Sequence, residues 1–235
     1  MKRWWRALVA LGALGALAAA LAPYFYGRLE LAELWHDVIG VDVSNHQADI
    51  DWRALAGDGV AFAYIKATEG GDFRDRRFQQ NWNAARAAGI TRGAYHFFTQ
   101  CKPGAEQAAN FIGTVPKEAG ALPPVVDAEH MGTCSAGPPL PDVRGELLAF
   151  MSLVAAHFGK RPIVYVTDEF HRAYLDGHFT AERFWVRSLF WPPSIRRESW
   201  LFWQYHNRGR RAGVNGPVDL NAFRGSASDL RALAN

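Results

Sequence analysis

The amino-acid sequence predicts an α/β barrel built from βα units, and three observations support this class. From Val38 onward, short apolar runs alternate with helical patterns to the end of the chain. Several of these runs are apolar throughout, as expected of strands that are buried on both faces. The chain has 235 residues, of which 49% are hydrophobic, and this is enough for one sizeable core. We therefore expect a single domain, 38–235, after a leader.

Seven segments have the length and apolar character of strands: 38–43, 62–67, 92–98, 124–128, 162–167, 184–187 and 201–205. Three helical patterns lie between them, each ending at a glycine or before a proline: 75–88, 104–115 and 141–158. Strands and helices in this order fit a TIM-like barrel. The domain is shorter than the roughly 250 residues typical of eight complete units. Some units must therefore be reduced or missing.

The first 28 residues are predicted to be a signal peptide or a transmembrane anchor. Lys2, Arg3 and Arg6 precede an uncharged run, 7–27, which has small residues near its end, as a cleavable signal does. As a helix this run would span roughly 31 Å, close to the hydrocarbon thickness of a bilayer, and aromatic residues flank it. We favour the anchor, with the domain outside the cytoplasm, and expect a secreted domain if the leader is cleaved. Residues 29–37 form a short juncture.

Charge and cysteine content narrow the classes of function. The net charge of +3 equals the contribution of Lys2, Arg3 and Arg6, so the remainder of the chain is neutral overall. A nucleic-acid partner requires a basic patch on the domain, and we expect none. No CxxC motif or cluster of His and Cys is present, so we predict no metal and no cofactor. Cys101 and Cys134 form either a disulfide, which we favour in an exported domain, or two unpaired thiols. We expect a monomer.

Polar and aromatic side chains stand at the end of nearly every predicted strand. The carboxyl ends of the strands meet at one rim of a parallel barrel, where active sites form. Asp127 and Glu129 are the sharpest feature, because residues two apart in a strand point to the same face. Residues 123–126 before them are wholly apolar, so the pair ends a buried strand. Neighbouring carboxylates raise one pKa and leave an acid beside a base, as glycosidic cleavage requires.

The other residues at strand ends permit both a functional and a structural interpretation. Asp42 and Asp219 could belong to the site, or each could cap a turn. Lys66 and Glu69 could contact substrate or form an ion pair with each other. His96 lies on an apolar strand, and we assign it to the core. The candidates for sugar binding, with core packing as the alternative, also include Tyr64, Tyr95, Tyr165, Trp185, Trp203, Gln204 and Tyr205.

Eight segments in this order resemble glycoside hydrolase family 25, the Chalaropsis-type lysozymes or N-acetylmuramidases. They are GVDVSNHQADIDW (40–52), FAYIKATEG (62–70), GAYHFF (93–98), PVVDAE (124–129), IVYVT (163–167), FW (184–185), FWQY (202–205) and VDLNAF (218–223). Each motif alone is weak, whereas eight in the right order over 38–223 are specific. The resemblance implies an irregular, flattened barrel with fewer helices than the eight-fold form, which agrees with the short domain.

The resemblance also implies an activity and a set of roles. It implies hydrolysis of the β-1,4 bond between N-acetylmuramic acid and N-acetylglucosamine in the glycan strands of peptidoglycan. It assigns Glu129 as the general acid and Asp127 as its partner carboxylate, with Asp42 and Asp219 as two further acids of the site. The partner either orients the 2-acetamido group of the substrate as a nucleophile or acts more directly. Both mechanisms stay open.

The sequence departs from the family at one edge of the predicted groove. Where such sequences often have a small or aromatic residue, this one has Arg187-Ser188-Leu189, followed by the aromatic and proline residues 190–193. The preference among substrates is therefore open. Two alternative functions also remain, a chitinase-like hexosaminidase with substrate assistance and a non-catalytic module that binds cell wall. Four acids at one rim count against the module, because neutral sugar hydroxyls do not require them.

Overall fold

The computed structural model describes residue 4 and residues 11–12, 14–17, 31–130, 139–189 and 191–235. Most of the predicted leader, 1–28, lies outside these residues, so its interpretation as a signal peptide or an anchor stays a prediction. Among the residues described, no helix has both the length and the apolar character needed to cross a membrane. A short 3-10 helix, Leu31–Leu34, precedes the barrel.

Nine strands form one continuous sheet: β1 (Ile39–Val43), β2 (Val60–Glu69), β3 (Phe73–Arg74), β4 (Thr91–Phe97), β5 (Val125–Ala128), β6 (Ile163–Val166), β7 (Phe184–Arg187), β8 (Trp200–Gly209) and β9 (Val218–Phe223). Their spatial order is β1-β9-β8-β7-β6-β5-β4-β2-β3, and β1 also pairs with β2. This additional pairing closes eight strands into a barrel, while β3 stays outside the ring as an antiparallel partner of β2. The predicted α/β barrel is confirmed.

The closing strand distinguishes this barrel from a TIM barrel. Strands β1, β2, β4, β5, β6, β7 and β8 pair in parallel around the ring. Strand β9 runs antiparallel to both of its neighbours, β8 and β1. Because a TIM barrel has eight parallel strands, the predicted TIM-like form is corrected to seven parallel strands and one antiparallel strand. Strand β9 was absent from the seven predicted strands, since its polar residues interrupt the apolar run.

The helices are short, as the length of the domain predicts. They are α1 (Trp52–Gly57), α2 (Phe78–Ala87), α3 (Gly104–Ile112), α4 (Val143–Phe158), α5 (Asp168–Phe170), which continues as a π-helical turn to Leu175, and α6 (Ala227–Ala234). The three predicted helices are α2, α3 and α4. Helix α4 begins after Asp142, whose carboxylate accepts a hydrogen bond from the N–H of Gly145, and it ends at Gly159 with φ of 72°. The described residues between β7 and β8 contain no helix.

Side chains alternate along each strand between the inside of the barrel and an outer layer beneath the helices. Gly40 faces inward on β1, where a Cβ atom would lie only 2.5 Å from the ring of Phe62. The glycine therefore makes room for this ring. The apolar residues inside the barrel form a core of their own, composed mainly of Val38, Phe62, Tyr64, Leu122, Val125, Ile163, Tyr165, Trp185, Phe202 and Phe223.

We expect Gly40→Ala to destabilise the fold by about 1–3 kcal/mol, because a new methyl group in a filled core displaces its neighbours. Thermal unfolding followed by circular dichroism measures the effect as a lower Tm. Gly57→Ala in α1 is the matched control, because a Cβ atom there meets no other atom within 4 Å. A Gly40→Ala protein as stable as this control would contradict the close packing inside the barrel.

Candidate active site

A cleft of about 210 Å³ opens at the carboxyl ends of the parallel strands. It lies above the apolar core of the barrel. The inward-facing residues nearest these strand ends are largely polar, and they form its lining. All four predicted acids border it, so the structure brings them together as the sequence predicts. The complete lining is Asp42, Val43, Ser44, His46, Gln47, Lys66, Tyr95, Phe97, Asp127, Glu129, Tyr165, Trp185, Gln204 and Asp219.

Asp42 on β1 is held by side chains from two neighbouring strands. Its Oδ2 atom accepts hydrogen bonds from Asn221 Nδ2 at 2.8 Å and from Gln204 Nε2 at 3.1 Å. Asp219 lies directly opposite Asp42 in the β1–β9 pairing, and the two carboxyl groups share a hydrogen bond. Asp42 is therefore oriented within the site and does not cap a turn.

Two aromatic side chains orient the amides that hold Asp42. The hydroxyl of Tyr165 donates to Gln204 Oε1 at 2.9 Å, and Trp185 Nε1 donates to Asn221 Oδ1 at 2.8 Å. Because each amide oxygen already accepts a hydrogen bond, each NH₂ group is turned toward the carboxylate. Both aromatic rings also line the cleft. They therefore stabilise the site from within and remain candidates for contact with sugar.

The Asp42–Asp219 pair carries one proton at neutral pH. Burial raises the pKa of Asp42 to about 6, although hydrogen bonds from Asn221, Gln204 and Asp219 oppose the rise. Burial raises the pKa of Asp219 to about 9, and the negative charge of Asp42 contributes to this rise. At pH 7 Asp219 is therefore protonated and donates to Asp42, which carries the charge.

Asp127 on β5 and Glu129 just after it form the second carboxyl pair. Burial raises the pKa of Asp127 well above its usual range, and the charge of Glu129 raises it further. Burial also raises the pKa of Glu129, while Arg187, whose Nη1 lies 3.9 Å from Glu129 Oε2, lowers it. Asp127 Oδ1 is buried and has no hydrogen-bond partner among the described residues. The site thus contains a protonatable pair and an unfilled acceptor.

Lys66 on β2 lines the cleft and is paired with Glu69. Its Nζ atom lies 2.7 Å from Glu69 Oε2. The same ammonium group lies 4.9 Å from the centre of the Phe97 ring and 5.5 Å from that of Phe73. Its positive charge lowers the pKa of Asp127, but burial raises that pKa by more. The ion pair that the sequence allowed is present, and Glu69 itself does not line the cleft.

His96 on β4 lies in the outer layer, as the sequence predicts for a core residue. Its Nδ1 lies 2.7 Å from Thr68 Oγ1, and its Nε2 lies 3.1 Å from Gln107 Oε1. Its ring stacks on Phe150 with 4.7 Å between the ring centres. Burial lowers the pKa of His96 to about 3. The ring is therefore neutral and its role is structural.

Trp203 and Tyr205 do not reach the cleft. They flank Gln204 on β8, and because side chains alternate along a strand they point outward while Gln204 points inward. Trp203 stacks on Trp35 at 6.3 Å, and the hydroxyl of Tyr205 donates to Glu33 Oε1 at 2.7 Å. Both side chains are buried. We correct their predicted role in substrate binding and assign them to the outer core.

Tyr64 faces the inside of the barrel but lies one layer below the cleft. Its ring stacks beneath Trp185 with 5.1 Å between the ring centres, and its hydroxyl donates to the carbonyl oxygen of Pro123 at 3.2 Å. It is fully buried. We therefore assign Tyr64 to the core as well. The sugar-binding roles of the lining residues Tyr95, Tyr165, Trp185, Lys66 and Gln204 stay predictions.

Some residues of the site were not singled out from the sequence. The turn after β1 supplies three of them, beginning at Ser44, whose N–H donates to Gln47 Oε1 at 2.9 Å. Asn221 lies in the VDLNAF motif, and the signal that could have revealed it is its spacing. It stands two residues from Asp219 in the same strand and therefore shares its face. The residues missed are Ser44, His46, Gln47, Phe97 and Asn221.

Two further predictions concern the cysteines and the absence of a metal site. Cys101 lies in the turn after β4, and no described cysteine is a free thiol. Its predicted partner Cys134 lies outside the described residues, so their pairing stays a prediction. Within the described part of the chain, no group of three or more His, Cys, Asp or Glu side chains could hold a metal ion.

We expect Asp219→Asn to become more stable relative to wild type as the pH rises from 5 to 8. The raised pKa of Asp219, about 9, means that the folded protein binds a proton that the unfolded chain releases above about pH 4. Wild type therefore loses up to about 1.4 kcal/mol of unfolding free energy per pH unit from this group. The asparagine does not titrate, yet its amide can still donate to Asp42.

Thermal unfolding at pH 5, 6, 7 and 8 measures this difference. The exposed Asp72→Asn is the matched control and should follow wild type at every pH. A Tm difference between Asp219→Asn and wild type that stays constant with pH would contradict a proton shared between Asp219 and Asp42.

Comparison with known proteins places this site in a family. Residues 41–214 match the model for glycosyl hydrolases family 25. The chain is 37% identical over 212 residues to lysozyme M1 of Streptomyces globisporus, covering 84% of this chain and 71% of that protein. A family 25 glycosyl hydrolase from Bacillus anthracis has a TM-score of 0.79 at 39% identity, covering 86% of this chain and 95% of that one. The lysozyme from Streptomyces coelicolor gives 0.76 at 36% identity, covering 84% and 97%.

The matched segment includes most of the site. Asp42, Asp127 and Glu129 lie within it, whereas Asp219 lies just beyond its end. The family that the sequence motifs predicted is therefore confirmed. The chain belongs to glycosyl hydrolase family 25 and is a glycoside hydrolase.

Proposed function

We propose that this enzyme is a peptidoglycan muramidase with Glu129 as its general acid and Asp127 as the partner carboxylate. It hydrolyses the β-1,4 bond between N-acetylmuramic acid and N-acetylglucosamine. The observation that carries the proposal is the pair of largely buried carboxyl groups at one strand end, both with raised pKa. Such a pair supplies a proton to the leaving oxygen and negative charge to the oxocarbenium-like centre. The name of the Streptomyces globisporus relative, a lysozyme, supports the same reaction.

Glu129 suits the role of acid because its carboxyl group is partly open to the cleft. Its side chain is 16% exposed, so a glycosidic oxygen can approach it. Its raised pKa favours the protonated form that a general acid requires. The position after the end of β5 also places it at the rim, above Asp127, where a long glycan strand can lie across the cleft.

Asp127 suits the role of partner because its buried oxygen lacks a hydrogen bond. An unfilled buried acceptor is unfavourable by about 1–3 kcal/mol, and an N–H group of the substrate would satisfy Asp127 Oδ1. The 2-acetamido group of the sugar carries such an N–H. A donor at this oxygen stabilises the ionised form of Asp127 and so leaves the shared proton on Glu129. This favours substrate assistance by the acetamido group over direct attack by the carboxylate.

Asp42 and Asp219 support the reaction through charge and position. Asp42 has its oxygen occupied by amides, so it is a fixed negative charge beside the reacting pair. That charge raises the pKa of both Asp127 and Glu129. The aromatic residues of the lining provide flat surfaces for sugar rings. Tyr95, Tyr165 and Trp185 are the candidates.

The substrate lies outside the cytoplasm, so the enzyme must act there. In this proposal the leader, 1–28, brings the domain across the membrane and either anchors it or is removed. No metal or cofactor takes part in the proposed reaction, since the carboxyl pair supplies both the proton and the charge.

We expect Glu129→Gln to lower the rate of peptidoglycan hydrolysis by about 10²–10⁴-fold, because an amide cannot donate the proton that the leaving oxygen needs. Release of reducing ends from purified peptidoglycan measures the rate. Glu198→Gln is the matched control, because Glu198 is exposed and precedes β8, at the end of the barrel opposite the cleft. A Glu129→Gln enzyme that matches this control would exclude Glu129 as the acid.

Mass spectrometry of the wild-type products tests the bond that is cleaved. A muramidase leaves muramic acid at the new reducing end. N-acetylglucosamine at that end would indicate a hexosaminidase of different specificity. Binding to the wall without any product would indicate a non-catalytic module, and either result would refute the proposed reaction.

We expect Asp127→Asn to lower kcat by about 10²-fold or more with little change in KM, because an amide oxygen still accepts an N–H but carries no charge. Steady-state kinetics on soluble glycan fragments separates the two constants. Asp168→Asn is the matched control, since Asp168 Oδ1 is likewise buried without a partner but lies outside the cleft. If KM rose while kcat held, Asp127 would serve in binding alone.

A further inference from the structure

Arg187 stands at the rim of the cleft beside the proposed acid. It ends β7 and lies two residues after Trp185, so it occupies the next inward position toward the carboxyl end of the strand. In the β7–β8 pairing it is opposite Gln204. Its Nη1 atom lies 3.9 Å from Glu129 Oε2, and its side chain is 34% exposed. Arg187 lies just outside the residues that line the cleft, so a ligand that contacts Glu129 can extend to the guanidinium group.

The N–H donors of the Arg187 guanidinium group are available to a ligand. Among the described residues, its only charged neighbour within 4.0 Å is Glu129, and the distance of 3.9 Å is too long for a hydrogen bond. Lys66, the cation on the opposite side of the cleft, differs in this respect. Its ammonium group donates to Glu69 at 2.7 Å and lies near two aromatic rings. Arg187 is the cation of the site that is free to bind an anion.

The reaction alone does not account for this arginine. A positive charge beside a general acid favours its ionised form, and Arg187 indeed lowers the pKa of Glu129. Lys66 acts in the same direction, whereas Asp42 and Glu169 raise this pKa, and the nearby Asp127 repels the charge of Glu129. An arginine that works against the acid in the empty cleft is explained if a negative group of the substrate offsets its charge.

We propose that Arg187 determines specificity by binding a carboxylate carried on the muramic acid residue next to the scissile bond. The inference rests on the proposed muramidase activity and deepens it. A guanidinium group binds a carboxylate through two parallel hydrogen bonds, a geometry that an ammonium group cannot match. A bound carboxylate also offsets the charge of Arg187, which removes an influence that lowers the pKa of Glu129. Recognition and activation of the acid are thereby coupled.

The carboxylate has two sources on this polymer. In intact peptidoglycan the lactyl group of muramic acid is joined to the stem peptide, so the carboxylates belong to the peptide. In glycan strands from which an amidase has removed the stem, the lactyl carboxylate is free. Converting that carboxylate to a methylamide gives a third substrate with the same sugar chain and no charge.

The experiment compares wild type, Arg187→Gln and Arg187→Lys on these three substrates by release of reducing ends. We expect Arg187→Gln to lower kcat/KM by about 10-fold or more on a substrate that presents the recognised carboxylate. The kcat/KM of Arg187→Lys on that substrate should lie between the values for wild type and Arg187→Gln. On the methylamide strands, Arg187→Gln should equal or exceed wild type. Arg183→Gln is the matched control, because Arg183 is exposed and directly precedes β7, at the opposite end of this strand from Arg187.

Each outcome identifies a source or refutes the proposal. A loss confined to intact peptidoglycan identifies the stem peptide, and a loss confined to the stripped strands identifies the lactyl group. An equal loss on all three substrates, including the uncharged one, would refute recognition of a carboxylate and leave a structural role. A Tm measurement on each variant separates this case from misfolding, and Arg187→Lys provides a second variant. Failure of wild type to cleave any substrate would instead refute the muramidase activity itself.

Discussion

Closure of the barrel by an antiparallel strand is the constraint on which the site depends. Strand β9 fills the gap between β8 and β1 and places Asp219 opposite Asp42. The same strand carries Asn221 on the same face, while β8 contributes Gln204 from the other side. Side chains from three strands therefore converge on one carboxylate oxygen. Without closure, the edges β1 and β8 would lie apart and Asp42 would lack both amides.

This convergence lets one buried carboxylate carry charge without a cation. Amide N–H groups and the protonated Asp219 stabilise the negative charge of Asp42, which is why its pKa rises less than that of Asp219. The other carboxyl groups then titrate in the field of this charge. Several buried acids in one cleft oppose folding at neutral pH, as is common for functional sites. The apolar core below the cleft and the outer layer beneath the helices supply the compensating stability.

The features that could be predicted from the sequence are local ones. The apolar runs indicated the seven parallel strands, and the spacing of Asp127 and Glu129 indicated a shared face. The same alternation within FWQY turns Trp203 and Tyr205 away from the cleft, although both side chains are chemically suited to sugar. The depth of Tyr64, one layer below the cleft, could not be predicted, because a motif does not give depth along the barrel axis. Strand β9 was missed since Asp219 and Asn221 break its apolar pattern.

The remaining features depend on contacts between distant parts of the chain. The hydrogen bond from Asn221 to Asp42 joins residues 179 positions apart, and that from Gln204 joins residues 162 apart. No local pattern encodes such a pairing, because it follows from barrel closure and register. The alternative that Asp42 and Asp219 merely cap turns could be rejected only once this register was known.

The four acids have the same carboxyl chemistry, but they differ in their hydrogen-bond partners. The bonded oxygen of Asp42 is fully occupied, so this group can position and polarise its neighbours but has little capacity to receive a substrate donor there. Asp127 Oδ1 is buried and unfilled, which is unfavourable in the empty cleft by about 1–3 kcal/mol. Arg187 is the complementary case, a donor group without a close acceptor. A substrate that brings an N–H to one and a carboxylate to the other completes the hydrogen bonding of the site.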